Sequence, residues 1–306
     1  MGPTACGKTN LAINLSQKLP IEIINVDSAQ VYIGMDIGTN KPNKSELATA
    51  KHHLIDICHP QEHYSVAKFC ENASLLLNKI HARGKIPLLV GGTMLYFYGL
   101  CFGLNDLPAA DPVVRHNIDL EADKYGWQYL HAKLAKIDPQ MAYKIQPTDK
   151  QRIQRGLEVF MLTGKSMSSY LITEKHMNFL DTDHWNVKYF ALVDGQRELL
   201  HKKIATRFYS MIKQGFIEEV AWLLAQNIPL SAPSMRCVGY RQLAEYLQNI
   251  TDRETAYQNT INSTRQLAKR QYTWLRKWKN LVDLNFLNAE STDLENLKLI
   301  IDNIKC

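Results

Sequence analysis

Eight residues at the start of the chain, Gly2-Pro3-Thr4-Ala5-Cys6-Gly7-Lys8-Thr9, match the phosphate-loop pattern G-x-x-x-x-G-K-[ST] at every fixed position. The chemistry of that pattern is anion capture. Its glycines allow backbone conformations that turn successive N–H groups toward one phosphate, Lys8 adds a point charge, and the Thr9 hydroxyl offers a ligand to Mg²⁺. The implied ligand is a diphosphate or triphosphate. Asp27 follows a short apolar run and is the carboxylate left near the phosphates, and its neighbours Ser28, Ala29, Gln30, Val31 and Tyr32 are polar and aromatic enough to touch a second substrate. The same aspartate could instead cap a turn after a strand. Phosphate-loop hydrolases usually end a later strand in an aspartate that helps hold Mg²⁺, whereas the corresponding run here ends in Gly91-Gly92-Thr93. That pattern favours group transfer over nucleotide hydrolysis.

These residues need a scaffold that gathers strand ends. Residues 8–19 carry Leu11, Leu15 and Leu19 on one helical face, so a bound anion would rest on that helix's N-terminus. Apolar runs at 21–26, 86–90 and 187–193 read as strands, and 54–57 as a fourth, shorter one. Strands alternating with helices predict an α/β fold: a parallel, doubly wound sheet flanked by helices, with ligands beyond the carboxyl ends of the strands. Asp27, Thr93 and the phosphate loop all fall at such ends. From 113 to 188 the strands stop, and helices broken by Pro139, Pro147 and Gly164 predict an all-helical insertion. The expected division is a catalytic core of residues 1–112 and 189–306, with residues 113–188 inserted into it. A phosphate loop ordinarily follows a buried strand. Only Met1 precedes Gly2, so the sheet is expected to lack its first strand, with the natural start upstream of Met1.

With 45% hydrophobic and 22% charged residues, the 306-residue chain has the composition of a soluble protein that buries one large core or two smaller ones. It has no apolar run of membrane-spanning length and no signal peptide, which places the expected location in the cytoplasm with no membrane partner. Six cysteines without a C-x-x-C pair predict free thiols rather than a zinc site or a disulfide framework. The adjacent His52 and His53 lack ligand spacing and read as packing residues. A net charge of +6 suggests an anionic partner. Residues 255–282 contain no acid, and Arg265, Lys269, Tyr272, Arg276 and Lys279 recur at helical spacing, with Leu267, Gln271, Trp274, Trp278 and Leu281 on the far side. On the residues alone, the basic stripe is either a nucleic-acid contact or a solvated face, and the tryptophans belong to the core.

Further motifs follow in order: Asp27-Ser28-Ala29-Gln30-Val31-Tyr32, Gly34-Met35-Asp36-Ile37-Gly38-Thr39, Lys41-Pro42, His52-His53-Leu54-Ile55-Asp56 and Tyr64-Ser65. After Gly91-Gly92-Thr93-Met94-Leu95-Tyr96 come Gln151-Arg152-Ile153-Gln154-Arg155, Arg236-Cys237-Val238-Gly239-Tyr240-Arg241 and Lys269-Arg270-Gln271-Tyr272-Thr273-Trp274-Leu275-Arg276. Together with the phosphate loop, this set closely resembles the bacterial tRNA dimethylallyltransferases over nearly the whole chain. Cys6 departs from the family, which commonly has serine there.

The resemblance implies transfer of a dimethylallyl group from dimethylallyl diphosphate to N6 of the adenosine 3′ of the anticodon, by a monomer that uses Mg²⁺. It assigns the base to Asp27 and the stabilisation of the leaving diphosphate to the loop from Gly2 to Thr9, Lys8 and Arg207, with Thr93 beside the target base. Gln30 and Arg115 would hold the extruded base or its place. The motif Gln151, Arg152, Ile153, Gln154 and Arg155 would grip the anticodon stem-loop. Arg236, Cys237, Val238, Gly239, Tyr240 and Arg241, with the Lys269-to-Arg276 motif, would hold further RNA. Two other classes fit the loop: a small-molecule kinase, and a non-catalytic RNA-binding protein that senses a nucleotide.

Overall fold

The computed structural model describes residues 1–172, 176–177, 179–180, 185–193, 197–285 and 290–305. The chain divides into two compact units, Met1–Cys101 with Phe179–Cys306, and Phe102–Asn178. The first begins with α1 (Lys8–Ser16), β1 (Ile21–Val26), α2 (Lys44–Thr49), β2 (His52–His53), α3 (Val66–His81), β3 (Ile86–Gly91) and α4 (Met94–Phe102). The second holds β4 (Leu104–Asn105), α5 (Pro112–Tyr125), α6 (Trp127–Ile137), α7 (Pro139–Lys144), α8 (Lys150–Thr163), α9 (Met167–Ile172) and β5 (His176–Met177). The first resumes with β6 (Tyr189–Val193), α10 (Arg197–Lys213), α11 (Phe216–Ala225), α12 (Tyr240–Leu247), α13 (Arg253–Leu275), β7 (Leu281–Asn285) and α14 (Glu290–Lys305).

β1 is buried along its whole length, as a central parallel strand must be. It pairs in parallel with β3 from Ile21↔Ile86 to Val26↔Gly91, and with β2 at Ile23↔His52 and Ile24↔His53. A Cβ at Gly91 would overlap the Val26 carbonyl, so glycine lets β3 close against β1 where both strands end. β6 and β7 form a second parallel pair, from Tyr189↔Leu281 to Val193↔Asn285. Met1 lies along β6: its amine donates to the Phe190 carbonyl at 2.7 Å, and its carbonyl accepts from the Leu192 N–H at 3.0 Å. The phosphate loop leaves from there.

Two readings of the sequence change. Residues 54–57 are not a strand, because Leu54 and Asp56 sit at φ +62° and +53°, which no strand tolerates; β2 is His52–His53 instead. The helical spacing traced as far as Leu281 outruns the helix, which stops at Leu275, and Asn280 at φ +55° lies where the chain turns into β7.

The second unit packs α5, α6, α7 and α8 around Ile118, Leu130, Leu134, Ile153 and Leu157, all fully buried. Asp111 and Asp138 cap α5 and α7, each ahead of a proline, and Gly164 closes α8 at φ +70°. Glu158, also fully buried, ties this unit together. It accepts both prongs of Arg115 at 2.9 and 3.1 Å, Arg155 at 2.6 Å and the Asp111 N–H at 2.8 Å. Burial raises the Glu158 pKa, but the two arginines outweigh it and hold the carboxyl below its usual range.

Glu22 plays the corresponding part at the foot of β1. Its buried carboxylate meets His53 and Arg83 at 2.7 Å, Lys85 at 3.1 Å and Lys51 at 3.5 Å. Burial opposes ionisation, yet these four partners lower the pKa from 4.5 to about 2. Because the folded-state pKa lies below the unfolded one, the resulting stability is complete above about pH 4.5 and disappears as pH falls toward 2. Glu22→Gln is therefore expected to cost about 3 kcal/mol near neutral pH. Urea unfolding at a series of pH values should show the gap to wild type narrowing from pH 4.5 downward. A gap that stays constant to low pH would exclude this role for the network.

Candidate active site

The phosphate loop takes its shape from two left-handed residues, Ala5 at φ +65° and Gly7 at φ +89°, and Gly7 opens α1 without a side-chain cap. This is the geometry that presents consecutive N–H groups to an anion at a helix N-terminus. Lys8 folds back over the loop, its Nζ donating to the Pro3 carbonyl at 2.6 Å and lying 3.6 Å from the Cys6 sulfur. Cys6 is buried, and its sulfur fills the space a Cβ on Gly2 would need. Thr9 lies in the first turn of α1.

Thr4 is held from outside the loop. Its hydroxyl accepts from an Arg207 guanidinium nitrogen, and its N–H donates to Oε1 of Gln271 at 2.8 Å. Arg207 projects from α10 and is half-buried. Desolvation lowers its pKa, and the proximity of Cys6 and Asp27 opposes that shift.

Asp27 ends β1. Its Oδ1 accepts from the N–H groups of Ala29 at 2.8 Å and Gln30 at 3.3 Å, which fixes the carboxylate in a tight turn. Thr93, just past β3, bonds across to that turn: its hydroxyl accepts from the Ser28 N–H at 3.0 Å, and its own N–H donates to the Val26 carbonyl at 3.2 Å. Lys8, Asp27, Thr93 and Arg207 thus converge around the strand ends and the loop.

The segment following Asp27 is pinned by groups that spacing alone did not single out. Glu219 on α11 accepts from three successive N–H groups, Asp36 at 2.9 Å, Ile37 at 2.7 Å and Gly38 at 3.0 Å, and from the Tyr240 hydroxyl at 2.6 Å. Lys41 clamps Asp36 at 2.6 Å, Asp56 at 2.5 Å and the Tyr32 carbonyl at 2.9 Å. The Gln30 amide donates to the carbonyls of Thr39 and Asn40 at 3.0 and 3.1 Å. Its side chain therefore braces this segment.

The expected RNA-contact residues divide by burial. Arg236, ahead of α12, and Arg241, within it, are exposed, the first donating to the Ser231 carbonyl and the second 4.0 Å from Glu245. Val238 is half-buried, Gly239 is at φ +93°, and Tyr240 is fully buried against Phe216. Cys237 is close enough to Asp27 that burial and the carboxylate charge push its thiol up to about 12. On α13, Lys269, Arg270, Thr273 and Arg276 are exposed and Tyr272 is half-buried, whereas Gln271 and Leu275 face the interior. Trp274, read from the sequence as a core residue, is 36% exposed and stacks edge-on with Tyr98. A cavity of about 1160 Å³ runs along this helix, lined by Arg197, His201, Arg265, Lys269, Tyr272 and Arg276 among others. In the second unit Gln151 and Arg152 are exposed and Ile153 is buried. Gln154 bonds Asp119 at 2.7 Å, and Arg115 and Arg155 are both engaged by Glu158.

No helix among the described residues is long and apolar enough to cross a membrane. The five described cysteines are free.

Residues 30–278 match the family model described as IPP transferase. Along 99% of its length the chain is similar to the full-length tRNA isopentenylpyrophosphate transferase of Bacillus halodurans, at 35% identity, with a TM-score of 0.70 and 95% of that chain covered. It is similar over its full length to the tRNA isopentenylpyrophosphate transferase of Staphylococcus epidermidis, at 31% identity and TM-score 0.68, with 97% of that chain covered. A eukaryotic dimethylallyltransferase captured acting on tRNA aligns with 99% of this chain at 28% identity and TM-score 0.77, with 77% of its own length covered. A phosphate loop, a carboxylate fixed at the neighbouring strand end and a match over most of the sequence lead to one conclusion: this chain belongs to the IPP transferase family.

Proposed function

We propose that the protein transfers a dimethylallyl group from dimethylallyl diphosphate to N6 of the adenosine 3′ of the anticodon in tRNA. The observation that carries this reading is the convergence of a diphosphate grip and a fixed carboxylate on one set of strand ends, with glycines and a threonine where a hydrolase would place its aspartate. The kinase and nucleotide-sensor readings lose ground to the family match.

N6 of adenosine is a weak nucleophile, because its lone pair is delocalised into the ring, and it must shed a proton as it attacks. Asp27 takes that proton. Its Oδ1 is anchored by two backbone N–H groups, and among the described residues Oδ2 carries no hydrogen bond, so that oxygen is free to serve as the base. Opposite it, the bond from the dimethylallyl carbon to the diphosphate oxygen breaks, and charge accumulates on the leaving group. The loop N–H groups, Lys8 and Arg207 meet that charge in a site already shaped for it. Thr93 sets the distance between the Asp27 turn and β3.

A divalent cation, Mg²⁺ in our reading, fits this donor set. Thr9 offers a hard, neutral hydroxyl in the first turn of α1, and a diphosphate would contribute the remaining protein-independent oxygens. When bound, the cation neutralises part of the leaving group's charge. The target base has to leave the anticodon loop to be reached. The exposed cations of α13, Arg236, Arg241 and Arg152 would hold the RNA backbone. We assign the second unit, with Arg115, Gln151 and Arg155, to the anticodon stem-loop, and the protein to a monomer in the cytoplasm.

Incubation with labelled dimethylallyl diphosphate and unmodified tRNA should yield labelled N6-isopentenyladenosine, and no label in the nucleoside would refute the reading. Asp27→Asn is expected to lower kcat by roughly 10² or more while the KM for each substrate stays within a few-fold. Turnover within threefold of wild type would rule out Asp27 as the base. Arg152→Ala should raise the KM for tRNA, lower the salt slope of tRNA binding by about one unit and melt with wild type. Arg155→Ala should weaken tRNA similarly and also melt at a lower temperature, because it removes a partner from buried Glu158. Identical melting of the two variants would argue that the Arg155 pair is not structural.

A further inference from the structure

Gln271 stands in the middle of a motif read as RNA-contacting, yet it is only 7% exposed and its amide faces inward. Oε1 accepts from the Thr4 N–H at 2.8 Å, and Nε2 donates to the Gly92 carbonyl at 2.9 Å. One planar amide on α13 therefore joins the phosphate loop to the turn after β3. Both partners are backbone groups of segments that carry reacting residues. Thr4 lies within the loop that ends in Lys8 and Thr9, and Gly92 immediately precedes Thr93.

The space around this amide is reserved for it. A Cβ at Gly92 would overlap the Gln271 amide nitrogen and lie 3.2 Å from the Gly2 carbonyl, so any larger residue there would push the amide away. The outer face of α13 is different in kind: Lys269 and Arg276 are exposed and line the basic cavity. A residue that touched RNA would share that face. Gln271 lies instead with Ala268 and Leu275 on the buried one.

We propose that Gln271 is a positioning residue for the diphosphate grip, holding the loop at a fixed distance from β3 so that Lys8 and the loop N–H groups address the same point as Asp27 and Thr93. This rests on the function proposed above for the identity of the ligand. A buried amide with two directed bonds also specifies orientation, which an apolar side chain of equal size cannot do.

The test uses the full chain and two variants that break the contact from opposite sides, Gln271→Met and Gly92→Ala. Calorimetric binding of inorganic diphosphate with Mg²⁺ should weaken on the order of tenfold in each, from the loss of two buried hydrogen bonds. The double variant should be little worse than the poorer single one, because both remove the same interaction. In the transfer assay the KM for dimethylallyl diphosphate should rise, and binding of an unmodified anticodon stem-loop should stay within threefold. Ile261→Ala, on the buried face of the same helix, should lower the melting temperature without changing diphosphate affinity. That separates positioning from general stability. Diphosphate affinity within twofold of wild type in Gln271→Met, additive losses in the double variant, or a loss confined to RNA binding would each overturn the proposal. Binding of inorganic diphosphate does not depend on prenyl transfer, so failure of the proposed function and failure of this inference are distinct results.

Discussion

A loop that captures an anion with its own backbone cannot spend those N–H groups on holding itself together. Its conformation has to be imposed from outside, and Ala5 raises the requirement, since a side-chain-bearing residue at φ +65° is strained where Gly7 at φ +89° is not. The support is concentrated on Thr4. Arg207 takes the hydroxyl, and Gln271 takes the N–H, each from a different helix. α10 and α13 thus both reach the loop, and with Gln271 turned inward the cationic residues of α13 lie on its outer face. The strand ends contribute the rest, with Gly91 allowing β3 to close on β1 and so bring Thr93 to the Asp27 turn.

Three buried or bonded carboxylates perform analogous work elsewhere. Glu22 gathers His53 and three cationic side chains at the foot of β1, Glu158 gathers two arginines and a helix start, and Glu219 gathers three N–H groups and a tyrosine hydroxyl. Each fixes irregular backbone or charged side chains that hydrophobic packing could not orient. Removing any of them would leave several groups unpaired at once, which is why such centres are costly to disturb even when the net stability they contribute is modest.

Much of the chemistry was legible in the amino-acid sequence, because it resides in contiguous motifs whose residue types are forced by function. The loop, Asp27 at the end of an apolar run, and Gly91-Gly92-Thr93 at the end of another all sit where the pattern puts them. The losses have a common physical origin. Leu54, Ile55 and Ile57 carry apolar side chains suited to a strand, and the left-handed backbone at Leu54 and Asp56 excludes it. β7 follows a basic stripe whose helical spacing runs on past Leu275, where the helix stops. Glu219 and Gln271 act through partners nearly two hundred residues away or more, so no local spacing signals them. For Gln271 the helical wheel did indicate the face opposite the basic stripe, and the directed bonds of its amide explain why a polar residue occupies it.

The resting position of Lys8 has a bearing on how the loop meets a ligand. One of its three ammonium donors is given to the Pro3 carbonyl, within the loop itself. That bond fixes where the charge sits and leaves donor capacity on the same nitrogen. A long, flexible side chain would otherwise lose rotamer freedom at the moment of binding. The loop's internal bond thus meets that ordering cost in advance, and an anion arriving there finds its cation already in place.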